Sequence, residues 1–175
     1  MGKRRLIEIV ILFAAPLAYM AAYSCSKTQH QSIAANYGPI SIEPTSGSGR
    51  EQIFKLTLST PEHLTLLGLL INDDLTGRNS CYVLYSFTRN DDLLVNDSGS
   101  GSRTLGTAPF LANSQCSIIK DGSAASISGN MIVVAFHIRF NEDFRGTKSL
   151  YVIAQKGSAV QGPTKAGTWD MWDVR

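Results

Sequence analysis

The sequence lacks a hydrophobic run long enough to cross a bilayer as a helix. The longest, residues 9–22, contains Pro16 and is closed off upstream by Glu8, whereas a spanning helix needs about 20 apolar residues. Cysteine and histidine are scarce, with three of each, which leaves no cluster at zinc-ligand spacing. One-sided charge is missing too. Lys3, Arg4, Arg5 and Glu8 account for the formal charge of +2, and the rest of the chain carries as many acidic as basic side chains. Scattered and balanced charge of that kind lacks the basic footprint that nucleic acid requires. There is no Gly-x-Ser-x-Gly elbow and no EF-hand spacing, so the sequence motifs of an α/β-hydrolase nucleophile and of a calcium loop are absent.

The chain begins with a basic stretch, Lys3-Arg4-Arg5, ahead of the apolar run. That order predicts a signal peptide over residues 1–24 and export of the remainder of the chain; the alternative is an uncleaved anchor. Small residues at Ala22 and Ser24 precede Cys25, as in a bacterial lipobox, so Cys25 is the expected lipidation site and the lipid the expected link to a membrane. Cysteine arithmetic favours this, because Cys81 and Cys116 can pair in an oxidising compartment and Cys25 is then left over. Ordinary signal-peptidase cleavage is the alternative. Residues 25–37 are mostly polar and aperiodic, a tether in which His30 is expected to be solvated.

Residues 38–175 read as short period-2 segments separated by Gly, Ser, Asn, Asp and Pro clusters, the pattern of an all-β sandwich. Residues 131–140 are clearest: Ile132, Val134, Phe136, Ile138 and Phe140 fall on one face. Phe54, Leu56 and Leu58 form a second inward stripe, and Cys81, Val83, Tyr85 and Phe87 a third. Further strands are predicted at residues 40–43, 67–72, 93–96, 116–119, 125–128 and 150–154 and near Trp169. Residues 45–49, 90–91, 97–101 and 128–130 are predicted turns. Two cysteines without a nearby His or third Cys cannot fill a tetrahedral metal shell.

Several stretches carry a resemblance: residues 43–49, 70–72 and 79–85, then residues 93–99, 111–116, 144–148 and 167–169. In this order and spacing they resemble an immunoglobulin- or fibronectin-like module that recurs in secreted and surface proteins of bacteria, many of them soil acidobacteria. The resemblance implies a single immunoglobulin-like antiparallel β-sandwich with a bond between Cys81 and Cys116, and brings no catalytic residues with it. The chain departs from the family pattern at residues 60–63 and 155–158, loops of the kind in which binding specificity resides on such scaffolds.

These readings lead to a non-catalytic exported module with a binding or adhesion role, without a cofactor. Its ligand is expected to be a glycan or a surface protein. The candidate binding surface is Tyr82, Trp169 and Trp172, aromatic side chains suited to stacking on a sugar or a partner; the alternative is that they pack one end of the sandwich. A purely structural spacer is the second reading. A hydrolytic enzyme using His63 or His137 is the third, although no partner for either can be named from the sequence. Ser48 and Ser100 sit in flexible Gly-Ser turns. Asp73-Asp74 and Asp91-Asp92 are adjacent pairs whose members point to opposite faces of a strand, so neither pair forms a catalytic dyad by itself. A loop calcium site using Asp73, Asp74 or Asp97 is an open alternative. Intact mass spectrometry of the membrane-associated protein is expected to give a chain beginning at an acylated Cys25; a mature mass without lipid would refute the anchor.

Overall fold

A computed structural model describes residues 35–171. The predicted signal peptide, Cys25 and Trp172 lie outside the described residues. Twelve strands succeed one another: β1 (Ile40–Glu43), β2 (Ser46–Ser48), β3 (Glu51–Ser59), β4 (Leu66–Asn72), β5 (Cys81–Ser86), β6 (Asp91–Val95), β7 (Ser102–Thr104), β8 (Phe110–Ala112), β9 (Cys116–Ser128), β10 (Met131–Phe140), β11 (Thr147–Lys156) and β12 (Ala159–Asp170). They form two sheets, ordered β1-β3-β10-β9-β8 and β2-β12-β11-β4-β5-β6-β7. In immunoglobulin terms β1, β3, β10 and β9 occupy the places of strands A, B, E and D. β12, β11, β4, β5 and β6 occupy those of G, F, C, C′ and C″, the variable-type order. All-β sandwich architecture is therefore the fold, as the period-2 pattern predicts.

The alternating stripes form the core. Phe54, Leu56, Leu58, Val134, Phe136 and Ile138 of one sheet meet Leu67, Leu69, Ile71, Val83, Leu150 and Val152 of the other, all essentially inaccessible. No cysteine lies on β3 or β11, so the bridge between strands B and F of antibody domains has no counterpart. The bond joins β5 to β9 instead. Cys81 and Cys116, the first residues of their strands, are disulfide-bonded with Cα atoms 5.5 Å apart, and both are buried. β4 is covered on both faces: Leu70, outward of the main core, is nearly as inaccessible as its inward neighbours. Beside it Leu84, Leu93 and Val95 form a second small cluster, with Leu66 and Tyr82 against it.

Four features depart from the sequence reading. Residues 45–49, predicted as a turn, contain β2, which pairs with β12 in parallel, so the sandwich is not wholly antiparallel. β2 lies there because Gly47 lets the chain pass against the face of Trp169, where a Cβ would overlap the ring. The segments predicted at residues 116–119 and 125–128 are one strand, with a register shift opposite β10 between Ala135 and His137; a bulge lets a strand continue through residues that read as a turn. The short strands β7 and β8 were not expected; they pair with β6 and β9. Residues 35–37, assigned to the tether, contact the sandwich: the Ala35 amide donates to the Val160 carbonyl at 3.1 Å, and the Tyr37 hydroxyl donates to the Ala159 carbonyl at the same distance.

The bridged residues are 35 positions apart, and closing a loop of that size restricts the unfolded chain by about 4 kcal/mol in the loop-entropy model. Replacing both cysteines with serine is expected to lower stability by about 2–4 kcal/mol, measured as a shift of the urea midpoint. An identical midpoint with and without reductant in the parent protein would contradict this.

Candidate binding groove

Four connections meet at one end of the sandwich. The Thr60 amide donates to the Asn130 carbonyl at 2.8 Å, Thr65 to Gln155 at 2.7 Å and Phe87 to Thr65 at 3.1 Å, while Lys156 forms an ion pair with Glu62. These contacts tie together the β3–β4 loop, the β5–β6 turn, the β9–β10 hairpin and the end of β11. Here the two sheets no longer cover one another. Ile127 pairs with Ile132 and Ala125 with Val134, so Ile127 follows the core-facing phase of β9, yet it is 63% exposed.

A hollow of about 310 Å³ opens beside it, lined by Pro61, His63, Leu64, Phe87, Ile127 and Ile132 among others. It continues, through shared walls at Phe87 and Ile127, into a second of about 300 Å³ bordered by Tyr85, Asn90 and Ala125. Those three residues also border a third, of about 230 Å³, with Asp91, Asp92, Leu105 and Lys120. The three form one groove, apolar at the loop end and charged at the other. Tyr85 and Phe87 make its middle wall, their rings edge-to-face at 5.0 Å. The Tyr85 hydroxyl donates to Asn90 Oδ1 at 2.5 Å, and Asn90 holds a left-handed backbone with φ 52°, which asparagine tolerates better than most residues.

At the charged end the two neighbouring carboxylates differ. Asp91 is fully engaged: Oδ1 accepts from the Asp92 amide at 2.8 Å and Oδ2 from the Gly106 amide at 2.9 Å. Asp92 follows the inward phase of Leu94, is 8% exposed, and its carboxylate has no hydrogen bond or ion pair among the described residues. Lys120 does not pair with it; its ammonium donates to the Gly106 carbonyl. Burial, reinforced by the negative charge of Asp91 and opposed by Lys120, raises the Asp92 pKa to about 6. The Tyr85 phenol is also pushed up, by burial and then by Asp92 and Asp91.

The residues singled out in the sequence are dispersed. Trp169 is not at the surface: it is 4% exposed, packs edge-on against Phe54 at 5.2 Å, and its indole N–H donates to the Gly49 carbonyl at 2.8 Å. Tyr82 is half-buried against the Leu84, Leu93 and Val95 cluster, and burial raises its phenol pKa. A contiguous stacking surface of Tyr82 and Trp169 is therefore not formed. His63 lines the groove. His137 lies elsewhere: its Nε2 is 2.8 Å from Glu51 Oε1, its Nδ1 contacts the Asp121 carbonyl, and Arg139 donates to Glu51 Oε2 at 2.7 Å. The Glu51 carboxyl is held below its usual range, by Arg139 first and then by His137.

The remaining aspartates singled out have structural partners in two cases. Asp73 pairs with Lys148 at 2.6 Å, and that ammonium lies over the Phe144 ring at 4.9 Å. Asp97 accepts from the Ser114 amide at 3.1 Å and hydroxyl at 2.7 Å. Among the described residues no group of three or more His, Cys, Asp or Glu side chains gathers in a metal-binding arrangement. Ser48 is exposed on β2, and the Ser100 hydroxyl shares a 2.7 Å hydrogen bond with Ser98. No protein-family model matches the chain, and no curated protein matches it.

The sequence names Asp92 only as half of the Asp91-Asp92 pair; with Leu93, Leu94 and Val95 all apolar, the alternation alone does not say which of the two carboxylates falls in the core phase. The raised pKa of Asp92 makes ionisation a cost to folding. Below about pH 4 the group is protonated in both folded and unfolded chains and costs nothing. The penalty grows as pH rises from there and is complete above about pH 6, where it amounts to about 3 kcal/mol. Asp92→Asn is therefore expected to stabilise the protein by about 1–3 kcal/mol at pH 7.5 and to lose that advantage at pH 4, as read from thermal unfolding at the two pH values. An equal effect at both would show that ionisation is not what the substitution relieves.

Proposed function

We propose that this protein is a non-catalytic, exported β-sandwich module with a binding or adhesion role, and that it holds its partner in the groove at the loop end. The observation that carries this is Ile127, a core-phase side chain that the opposing sheet leaves uncovered. Uncovered apolar surface next to convergent polar groups is the usual composition of a binding site. The place of the groove supports the same reading. In variable-type immunoglobulin domains the B–C, C′–C″ and F–G connections at one end of the sandwich form the recognition loops. Here the groove is built beside the β3–β4 and β5–β6 connections, the B–C and C′–C″ equivalents. This is an analogy of fold, and the groove chemistry carries the rest.

Export is supported by the basic and apolar leader and by the inter-sheet disulfide, a bond that persists outside the reducing cytosol. Attachment to a membrane through a lipid on Cys25 is part of the proposal, as is the kinship with secreted and surface modules of bacteria. The ligand is a glycan or a surface protein.

Ile127→Asp introduces a charge where an apolar side chain is already largely exposed, so the fold is expected to survive while the groove loses its apolar wall. Glycan arrays and immobilised envelope proteins probed with the parent protein and this variant are expected to show retention that falls at least tenfold with Ile127→Asp and is unchanged by Tyr82→Ala. No retained ligand on either surface, or retention insensitive to Ile127, would leave the spacer reading in its place.

A further inference from the structure

We infer that the ligand of this groove is an extended protein segment that adds to the open edge of β9 and inserts a basic side chain, lysine or arginine, against Asp92. The inference rests on the groove being the binding site and names its occupant.

Three observations lead to it. The first is the edge. Residues 124–128 pair with β10 on one side, while β8 reaches only residues 117–119 on the other. Among the described residues, the outer hydrogen-bonding side of this half of β9 is therefore vacant. It is also undefended: the stretch reads Ala124-Ala125-Ser126-Ile127-Ser128, without the lysine, proline or inward charge that commonly protects an exposed edge. An edge of this kind accepts a strand from another chain through main-chain hydrogen bonds.

The second is that the groove runs along this edge. Ala124, Ala125, Ser126 and Ile127 all border it. Side chains on one face of an added strand recur every second residue, roughly 7 Å apart. One such side chain would enter the cleft at Asp92 and another the apolar hollow at Phe87, Leu64 and Ile127. The expected ligand accordingly has a basic and an apolar residue separated by one position, with outward residues unconstrained.

The third is the carboxylate itself. Asp92 is more than nine-tenths buried, faces the cleft without a partner, and cannot draw on its neighbours. Asp91 is engaged at both oxygens, Lys120 is turned to Gly106, and the Tyr85 hydroxyl is engaged with Asn90. An incoming ammonium or guanidinium supplies a direct counter-charge to a largely buried carboxylate, where an ion pair is screened less than on the open surface. The aliphatic stem of the same side chain would lie along the Tyr85 and Phe87 rings. A metal ion does not fit the donor set, because among the described residues no third His, Cys, Asp or Glu joins Asp91 and Asp92 there.

The full-length protein can be tested with the fluorescent peptide Thr-Val-Thr-Lys-Thr-Leu-Thr, its norleucine analogue in place of lysine, and a version N-methylated at alternate threonines. Binding is read by anisotropy, and NMR follows the exchange of those amides in residues 124–128 whose N–H points away from β10, since the alternate ones are bonded to it. Slow exchange of these amides in the free protein would mean that the edge is already covered by the chain itself or by a second copy, and would overturn the proposal. The expected result is fast exchange that becomes slow on adding the lysine peptide. Affinity should fall at least tenfold for the norleucine and N-methylated peptides, and for the lysine peptide with Asp92→Asn. Equal binding of lysine and norleucine peptides would overturn the role of Asp92. Absence of peptide binding, with glycan or protein retention still lost in Ile127→Asp, would overturn the strand-addition inference while leaving the groove as the site. Absence of both would remove the groove reading as well.

Discussion

The bond between Cys81 and Cys116 fixes the relation of the two sheets at the point where each contributes the first residue of a strand. β5 and β9 start together there, deep in the core, and both proceed towards the loop end. At the start, side chains from the two sheets interlock. Further along, Tyr85 and Phe87 on one side and Ala125 and Ile127 on the other form the two walls of a groove. Covalent closure thus lies at one end of this pair of strands and the groove at the other. The core of an antibody domain is stapled across its middle; here the middle is held by side-chain packing around Phe54, Leu56, Val134 and Phe136, and the staple is displaced to the side where the groove opens.

The acidic side chains divide by what they contact. Asp73, Asp91 and Asp97 each hold a piece of the scaffold in place: a lysine over an aromatic ring, the amide of Gly106, and the loop that leads into Cys116. Glu51 and Glu62 are paired at the surface, where such contacts contribute little to stability. Asp92 differs from all of these. It is inward, unpartnered and destabilising when ionised, and strongly perturbed groups of that kind in a cleft are candidates for function.

Much of the fold is legible in the sequence because burial on one face leaves a period of two. β3 and β10 are plain from Phe54, Leu56 and Leu58 and from the run Ile132 to Phe140. β2 is not, since Ser-Gly-Ser has no apolar stripe and owes its conformation to hydrogen bonds with β12. β9 reads as two strands because Lys120, Asp121 and Gly122 resemble a turn, while the bulge that carries the strand past them is set by β10. The sequence leaves the side of Trp169 open, because Gly-Thr-Trp-Asp says nothing about which face of β12 meets Phe54. The groove was hidden for a similar reason: the exposure of Ile127 depends on where the opposite sheet ends, a relation between distant segments. Asp92 is hidden in the same way: Leu93, Leu94 and Val95 are all apolar, so nothing in Asp-Asp-Leu-Leu-Val says which of the two carboxylates shares the core phase.

The double-sided burial of β4 has a consequence before folding. Residues 66–71, Leu-Leu-Gly-Leu-Leu-Ile, carry no charge, and the unfolded chain exposes them until both layers close over them. Uncharged, strand-forming stretches of this kind pair readily between molecules. Glu62 lies shortly before the stretch, and Asp73-Asp74 come directly after its last asparagine, in the positions of gatekeeper charges that keep such a segment soluble while the chain folds. Asp73 then has two successive duties, first as a repellent charge on the nascent chain and later as the partner of Lys148.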